Sequence, residues 1–154
     1  MILSVIFDWK NTLYDPESKQ LLPGSLELLN LLKKEEIPLM LISKGTSEMI
    51  GEAQRLEITD YFTKVIFLSE QKKAENFKEF ITDVAKDTWI VGDRIDSEIA
   101  IGKSLGATTV WIKQGPFAKN VPNPEETPDF IVSNLEEAYN LFYEQLALSF
   151  TNQL

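Results

Sequence analysis

Residues 2–13, ILSVIFDWKNTL, join an apolar run to a sharp polar turn. Apolar residues predominate from Ile2 to Phe7, a run long enough for one buried strand of a parallel sheet. The run ends at Asp8, and turn-forming polar residues follow it at positions 10–12. Functional groups in open parallel sheets gather just beyond the carboxyl ends of the strands, so Asp8 is predicted at the mouth of a crevice. On this segment alone, a functional role for Asp8 and a purely structural role in turning the chain are equally favoured.

The rest of the chain alternates strands with helices. Apolar runs predict further strands over residues 37–42, 65–68, 89–91, 108–112 and 130–132. Helical spacing and capping signals predict helices over residues 26–34, 47–56, 72–84, 99–105 and, from a Ser133/Glu136 capping box, up to residue 148. Polar loops are expected over residues 14–22 and 113–129. This alternation predicts a three-layer α/β/α parallel sheet, formed by residues 1–154 as a single domain.

The composition excludes several kinds of chemistry. The 154 residues include no cysteine and no histidine, so disulfides, thiolate or imidazole metal ligands and Ser-His-Asp catalysis are unavailable. The net charge of −9 disfavours nucleic-acid binding, which needs a basic surface. No apolar run approaches the roughly 18 residues that a membrane span requires. We therefore expect no membrane partner and a cytoplasmic location.

Polar side chains follow four of the predicted strands. Asp8, Ser43 and Asp93 each come at a strand end, and Lys72 and Lys73 follow a fourth strand. Magnesium prefers one or two carboxylates together with water and a substrate phosphate. Lysine binds phosphate as a point charge, and the helix after Ser43 offers free backbone amides to an anion. Each residue alone is more easily structural, but together they predict a phosphate and magnesium site.

Four segments of the chain resemble the motifs of the haloacid dehalogenase (HAD) superfamily of phosphohydrolases. They are residues 7–13 (FDWKNTL), 41–43 (LIS), 72–77 (KKAENF) and 91–106, of which the last is the most specific. Residues 127–131 (TPDFI) also resemble the usual closing strand of the family. The resemblance covers nearly the whole chain, and it implies a Rossmann-like, HAD-like fold.

The resemblance also implies roles for individual residues. Asp8 would be the nucleophile that forms a phospho-aspartate intermediate. Mg²⁺ would be held by Asp8, Asp93 and the backbone carbonyl of Lys10. Glu98 stands at the second acidic position of the fourth motif, where it would act as a ligand or through a water molecule, with Asp96 as the alternative. The candidates for binding the phosphoryl oxygens are Ser43, Lys44, Lys72 and Lys73, with Lys72 preferred to Lys73.

Lys10 is the main departure from the family pattern. HAD phosphatases carry an aspartate there, which protonates the leaving group and then activates water. A lysine is ordinarily charged and is therefore a poor base, and losing general acid–base catalysis costs about 10²–10⁴-fold in rate. We therefore predict a magnesium-dependent phosphate-ester hydrolase or phosphotransferase of weak or atypical activity. Two alternatives stay open: Lys10 acts as an electrostatic helper for a substrate with a good leaving group, or the chain is an impaired enzyme that serves as a phospholigand- or protein-binding module.

The intervals between the motifs leave no room for a cap domain. Only 34 residues lie between Asp8 and Ser43, and 28 lie between Ser43 and Lys72. Capped members of the family use that domain to exclude water and to select small substrates. A capless member suits a large or macromolecular phosphorylated substrate, or a homo-oligomer in which a neighbouring subunit provides the lid. The loop at 113–128 and the last helix are candidates for that interface, although packing of the helix on its own sheet is favoured.

Overall fold

The computed structural model describes residues 1–151, in which strands and helices alternate largely as predicted. The strands are β1 (Ser4–Phe7), β2 (Tyr14–Asp15), β3 (Gln20–Leu21), β4 (Leu39–Lys44), β5 (Lys64–Leu68), β6 (Thr88–Gly92), β7 (Thr108–Ile112) and β8 (Phe130–Val132). The α-helices are α1 (Ser25–Lys34), α2 (Ser47–Arg55), α3 (Ala100–Leu105) and α4 (Leu135–Thr151). No helix within residues 1–151 is long and apolar enough to cross a membrane.

Six of the strands form one parallel sheet in the order β5-β4-β1-β6-β7-β8. The chain builds the sheet outward from β1 in one direction through β4 and β5, and then returns to continue through β6, β7 and β8. Strand order therefore reverses beside β1, and ligands of open parallel sheets bind in the crevice that forms at such a point. The three-layer parallel α/β architecture predicted from the sequence is confirmed.

Alternate residues of β1 enter the cores on the two faces of the sheet. Val5 and Phe7 pack into the larger core, which α1, α2 and α4 cover. Ile6 faces the smaller core, which α3 and the segment 69–87 cover. All four residues of β1 are buried, as expected of a central strand with a core on both sides.

The predicted polar loop at residues 14–22 contains a small antiparallel hairpin, in which β2 pairs with β3. Tyr14 is buried and stacks on Trp9, with 4.9 Å between the ring centroids. Trp9 is itself fully buried in the larger core. This hairpin is all that separates the strand end at Asp8 from α1, so the structure contains no inserted cap domain within residues 1–151.

The prediction of a helix over residues 72–84 is wrong. Two short 3₁₀ turns occupy Ala74–Asn76 and Lys78–Phe80, and the remaining backbone is irregular. Side chains compete for the backbone here, since Asn76 Oδ1 accepts from the amide of Lys73 and Thr82 Oγ1 donates to the carbonyl of Val84. Asparagine and threonine favour such local bonds over a helix interior. Phe77 is fully buried and, with Phe80 and Ile81, still covers the sheet, whereas Val84 is exposed.

The capping residue of α4 also differs from the prediction. Asn134, rather than Ser133, accepts the amide of Glu137 through its side chain at 2.9 Å. The Glu137 carboxylate in turn accepts the amide of Ser133 at 2.6 Å. The motif therefore begins one residue later than the Ser133/Glu136 spacing suggests, and α4 packs on the sheet through Leu135, Ala138 and Phe142.

Candidate active site

Asp8 lies at the centre of the crevice because β1 is the central strand. Its amide donates to the carbonyl of Val91 at 3.0 Å, which continues the pairing of β1 with β6 for one residue. The carboxylate is buried. Asp8 Oδ1 accepts a hydrogen bond from Ser43 Oγ at 2.7 Å and lies 2.9 Å from Lys72 Nζ. Ser43 reaches it from β4, the strand directly beside β1.

Lys72 is the lysine that the structure brings to Asp8. Its side chain is only 6 % exposed and reaches Asp8 on one side and Glu98 Oε2 on the other, at 2.8 Å. Burial lowers the pKa of Lys72, but the charges of Asp8 and Glu98 outweigh burial and raise this pKa above the ordinary value. Lys73 is exposed. The two neighbouring lysines therefore have different environments, and only Lys72 contacts the carboxylates.

Three carboxylates converge beside Lys72. One oxygen from each of Asp8, Asp93 and Glu98 lies within 4.8 Å of the others, and all three residues are buried. Burial, followed by repulsion from Asp8 and Glu98, raises the pKa of Asp93 to about 9. Burial and Asp8 likewise raise the pKa of Glu98, against the opposing charge of Lys72. Burial would raise the pKa of Asp8 too, but Lys72 and hydrogen bonds from Asp93 and Ser43 together lower it.

This cluster fits a divalent cation. Its donors are hard carboxylate oxygens, the ligands that Mg²⁺ prefers in proteins. Three buried carboxylates face a single lysine, so the cluster lacks positive charge unless a proton or a cation is added. Asp93 is also held in place, because its side chain accepts Thr12 Oγ1 at 3.3 Å and its carbonyl accepts Trp111 Nε1 at 2.9 Å.

An irregular turn before α3 directs Glu98 into the cluster. Residues 95–99 form a wide helical turn with a kink at Ser97. The amide of Arg94 donates to Glu98 Oε1 at 3.0 Å. Gly92 makes room for this side chain, since a Cβ at that position would overlap the Glu98 carboxylate. Asp96, the alternative candidate, points away from the cluster and pairs with Arg94 at 3.0 Å, with a side chain that is 52 % exposed.

Asp8, Asp93 and Lys72 lie at the floor of a cleft of about 610 Å³. Lys10 and Lys44 line this cleft and are exposed, so they lie nearer its mouth than the buried Asp8 does. Within residues 1–151, no carboxylate lies within ion-pair distance of either lysine. Lys72, and not Lys10, occupies the position of an internal cation beside the carboxylates.

Sequence reasoning missed a second group of cleft residues. Arg94 stacks on Phe117, with 4.3 Å between the guanidinium carbon and the ring centroid, and both line the cleft. The loop that carries Phe117 is tied to the turn after Asp8, because Gln114 Nε2 donates to the carbonyl of Asn11 at 2.8 Å. Asn11 has a φ of 60°, a left-handed conformation that asparagine tolerates well. No local pattern links these segments, since only the fold brings them together.

Comparisons with known proteins find similar sequences among HAD-type hydrolases. Residues 69–138 match a family model described as HAD-hydrolase-like. The chain is 27% identical over 123 residues to the glyceraldehyde 3-phosphate phosphatase of Pyrococcus furiosus, a match that covers 75% of this chain and 51% of that protein. It is 29% identical over 135 residues to YfnB of Bacillus subtilis, described as a HAD-hydrolase, with 81% of this chain and 55% of YfnB covered. The chain therefore spans about half the length of the curated relatives it matches.

Solved structures share the same fold. The crystal structure of YfnB with bound magnesium superimposes with a TM-score of 0.68 at 21% identity, over 80% of this chain and 56% of that one. A HAD-superfamily hydrolase from Ehrlichia chaffeensis superimposes with a TM-score of 0.72 at 16% identity, over 94% of this chain and 98% of that one. Each of these likenesses covers at least 80% of this chain.

Proposed function

We propose that the chain is a hydrolase of the haloacid dehalogenase superfamily, and that it transfers a phosphoryl group from its substrate to Asp8 and then to water. The observation that carries the proposal is the environment of Asp8. One oxygen of this buried carboxylate is held by Ser43 and Lys72, at the floor of an open cleft. A carboxylate held in this way is fixed for in-line attack on phosphorus and is kept in its charged form.

Each neighbouring residue has a role in the proposed reaction. Ser43 and Lys72 orient the Asp8 carboxylate, and together they offer an O–H and N–H groups to the phosphoryl oxygens as the transfer proceeds. Lys44, which follows Ser43 and lines the same cleft, is a further cation available to an anionic part of the substrate. Lys73 has no part in this proposal because it is exposed and does not contact Asp8.

Mg²⁺ is the proposed cofactor. Asp8, Asp93 and Glu98 would hold it, together with the backbone carbonyl of Lys10. A bound Mg²⁺ supplies positive charge that offsets the repulsion between carboxylates and phosphate. Thr12 and the amide of Arg94 hold the Asp93 and Glu98 side chains in place for this purpose.

The activity is proposed to be weak toward ordinary phosphate esters, because Lys10 occupies the position of the family's acid–base aspartate. Lys10 lines the cleft with Asp8 but brings a cation where a carboxylic acid would protonate the leaving group. The open cleft suits a large phosphorylated substrate, since no cap domain covers it within residues 1–151. We also propose that the protein is cytoplasmic.

Hydrolysis of 4-nitrophenyl phosphate with Mg²⁺ tests the proposal. We expect measurable turnover by the wild-type protein and only the background rate for Asp8→Asn. Asp60→Asn, which changes an exposed aspartate, is the matched control and should keep full activity. Mass spectrometry of the acid-quenched wild-type protein should find one added phosphoryl group on the peptide that contains Asp8.

The outcomes separate an enzyme from a binding module. Activity that persists in Asp8→Asn would contradict Asp8 as the nucleophile. An inactive wild type whose activity is restored by Lys10→Asp would mean that the site is intact but switched off at one residue. An inactive wild type that still binds phosphate, with no phosphorylated Asp8, would favour the phospholigand-binding alternative.

A further inference from the structure

Resting on the proposed function, we propose that the cleft is built for phosphoryl compounds whose leaving group is itself an oxyanion. Acyl phosphates and phosphoanhydrides share this chemistry, because a carboxylate or a phosphate departs without needing a proton. Lys10 and Lys44 bind the departing oxyanion. Ordinary alkyl phosphates, which release an alkoxide unless an acid protonates it, are poor substrates.

Two exposed lysines, Lys10 and Lys44, lie on the side of the cleft from which the leaving group departs. Asp8 is buried at the floor of the cleft, whereas Lys10 and Lys44 line the cleft and are exposed. In-line transfer places the leaving group opposite the attacking carboxylate, which is the side of the cleft mouth. The leaving group therefore departs toward the two lysines rather than toward the buried carboxylates.

Neither of these lysines has a carboxylate within ion-pair distance in residues 1–151. Most other exposed lysines of residues 1–151 also lack an ion pair, so what distinguishes Lys10 and Lys44 is that both line the same cleft. The chain as a whole has a net charge of −9 and 24 acidic residues. Two unpaired cations on one cleft of such a surface favour an anionic group in the ligand beyond the transferred phosphoryl group.

Four carboxylate residues line the cleft. Asp8 and Asp93 belong to the buried cluster beside Lys72. Both oxygens of Asp96 accept hydrogen bonds from the Arg94 guanidinium, at 3.1 and 3.0 Å. Glu48 is the remaining carboxylate of the cleft lining; it is exposed in the first turn of α2. A leaving group that needs no proton fits a cleft in which every carboxylate except Glu48 is already engaged.

The reaction balances without an additional reactant. A carboxylate oxygen of Asp8 forms a bond to phosphorus while the bond from phosphorus to the leaving oxygen breaks, and the electron pair departs on that oxygen. Water then attacks the phosphorus, the bond to the Asp8 oxygen breaks, and both hydrogens of the water leave with dihydrogen phosphate. The Asp8 carboxylate is restored, and no proton donor is needed in the first step.

Rates on matched substrates test this inference. We would compare acetyl phosphate, inorganic pyrophosphate and glycerol 3-phosphate, together with a series of aryl phosphates whose leaving groups differ in basicity. We expect at least one of acetyl phosphate and pyrophosphate to be turned over about 10²-fold faster than glycerol phosphate, or more. The faster of the two identifies whether the substrate is an acyl phosphate or a phosphoanhydride. The rates for the aryl series should fall steeply as the leaving group becomes more basic.

Variants connect this selectivity to the two lysines. Lys10→Met and Lys44→Met should each lower acyl-phosphate or pyrophosphate turnover by roughly 10- to 100-fold, by removing a charge that stabilises the leaving group. Lys10→Asp should flatten the aryl series and raise glycerol phosphate turnover. Lys64→Met removes an exposed charge at the start of β5, on the opposite edge of the sheet, and should change neither rate.

Each other outcome overturns a defined part of the argument. Equal rates on glycerol phosphate and on acetyl phosphate, lost in Asp8→Asn, would overturn this inference and leave the proposed function standing. The inference would also be overturned if Glu48→Gln lost turnover only of substrates with basic leaving groups, since Glu48 would then be the acid that protonates the leaving group. Inactivity toward the whole series, with no phosphorylated Asp8, would overturn both.

Discussion

At the residue scale, the pair formed by Lys72 and Asp8 has consequences for stability as well as for chemistry. Lys72 is the one cation in contact with two buried carboxylates, Asp8 and Glu98, in the described chain. Removing one partner of a buried pair leaves an uncompensated charge away from water. The geometry of the cluster therefore depends on this single ammonium group when no metal ion is bound.

We predict that Lys72→Met lowers the free energy of unfolding in metal-free buffer by about 3–5 kcal/mol. Lys73→Met, the exposed neighbour, is the matched control and should stay within about 0.5 kcal/mol of wild type. Denaturant unfolding curves for the three proteins measure both values. An unchanged midpoint for Lys72→Met would show that the pair makes no net contribution.

The loss of unfolding free energy in Lys72→Met should also depend on pH. Burial and Asp8 already raise the pKa of Glu98, and removing Lys72 takes away the opposing charge. When the pKa of a carboxyl group is higher in the folded than in the unfolded state, the free energy of unfolding of the protein falls as the pH rises through the pKa of the folded state. The variant should therefore be closer to wild type at pH 5 than at pH 8, which denaturant unfolding at the two pH values measures.

The same residues show what can be predicted from the sequence. Asp8, Ser43 and Asp93 follow strands, and strand ends of a parallel sheet meet at one edge, so their proximity is predictable. Lys72 and Glu98 come from irregular segments whose paths depend on packing against the sheet. The choice of Lys72 over Lys73, and of Glu98 over Asp96, therefore rests on resemblance rather than on any local pattern.

At the element scale, local hydrogen bonds decide where helices begin and whether they form. The apolar spacing at residues 72–84 identifies the side that faces the sheet, since Phe77 is fully buried. It does not identify the backbone conformation, because the side chains of Asn76 and Thr82 bind nearby backbone groups instead. Hydrophobic periodicity thus predicts the burial of Phe77 correctly, but it predicts the secondary structure incorrectly, and Val84 at the end of the segment is exposed.

The start of α4 offers a direct test of this distinction. Asn134 accepts the amide of Glu137 through its side chain, whereas Ser133 contributes only its backbone amide to the motif. We predict that Asn134→Ala lowers the free energy of unfolding by about 1 kcal/mol. Ser133→Ala should be close to neutral, and thermal melts of the two variants compare them directly. A larger loss of stability in Ser133→Ala than in Asn134→Ala would instead support the Ser133/Glu136 capping box that the sequence suggests.

At the scale of the whole molecule, one sheet joins the two cores and the site. Phe7 and Ile6 lie next to each other in β1 but face opposite cores. The proposed metal ligands come from the end of β1, the end of β6 and the turn before α3. A cation bound there would connect segments that the two cores hold separately, so metal binding should stabilise the domain as a unit.

We predict one cooperative unfolding transition for residues 1–151, shifted as a whole by Mg²⁺. Tryptophan fluorescence reports on Trp9, Trp89 and Trp111, which are all buried, while far-ultraviolet circular dichroism reports mainly on the helices. The two signals should coincide in metal-free buffer. Mg²⁺ at about 100 times its dissociation constant should add about 2.7 kcal/mol to the free energy of unfolding, with both signals moving together.

Asp93→Asn is the control that separates cooperativity from metal binding. It removes one of three crowded carboxylates, so the variant should be at least as stable as wild type without metal. The variant should keep a single transition but lose most of the shift with Mg²⁺, because one proposed ligand is gone. Two separate transitions in wild type would contradict the single domain, whereas an equal Mg²⁺ shift in both proteins would place the cation away from Asp93.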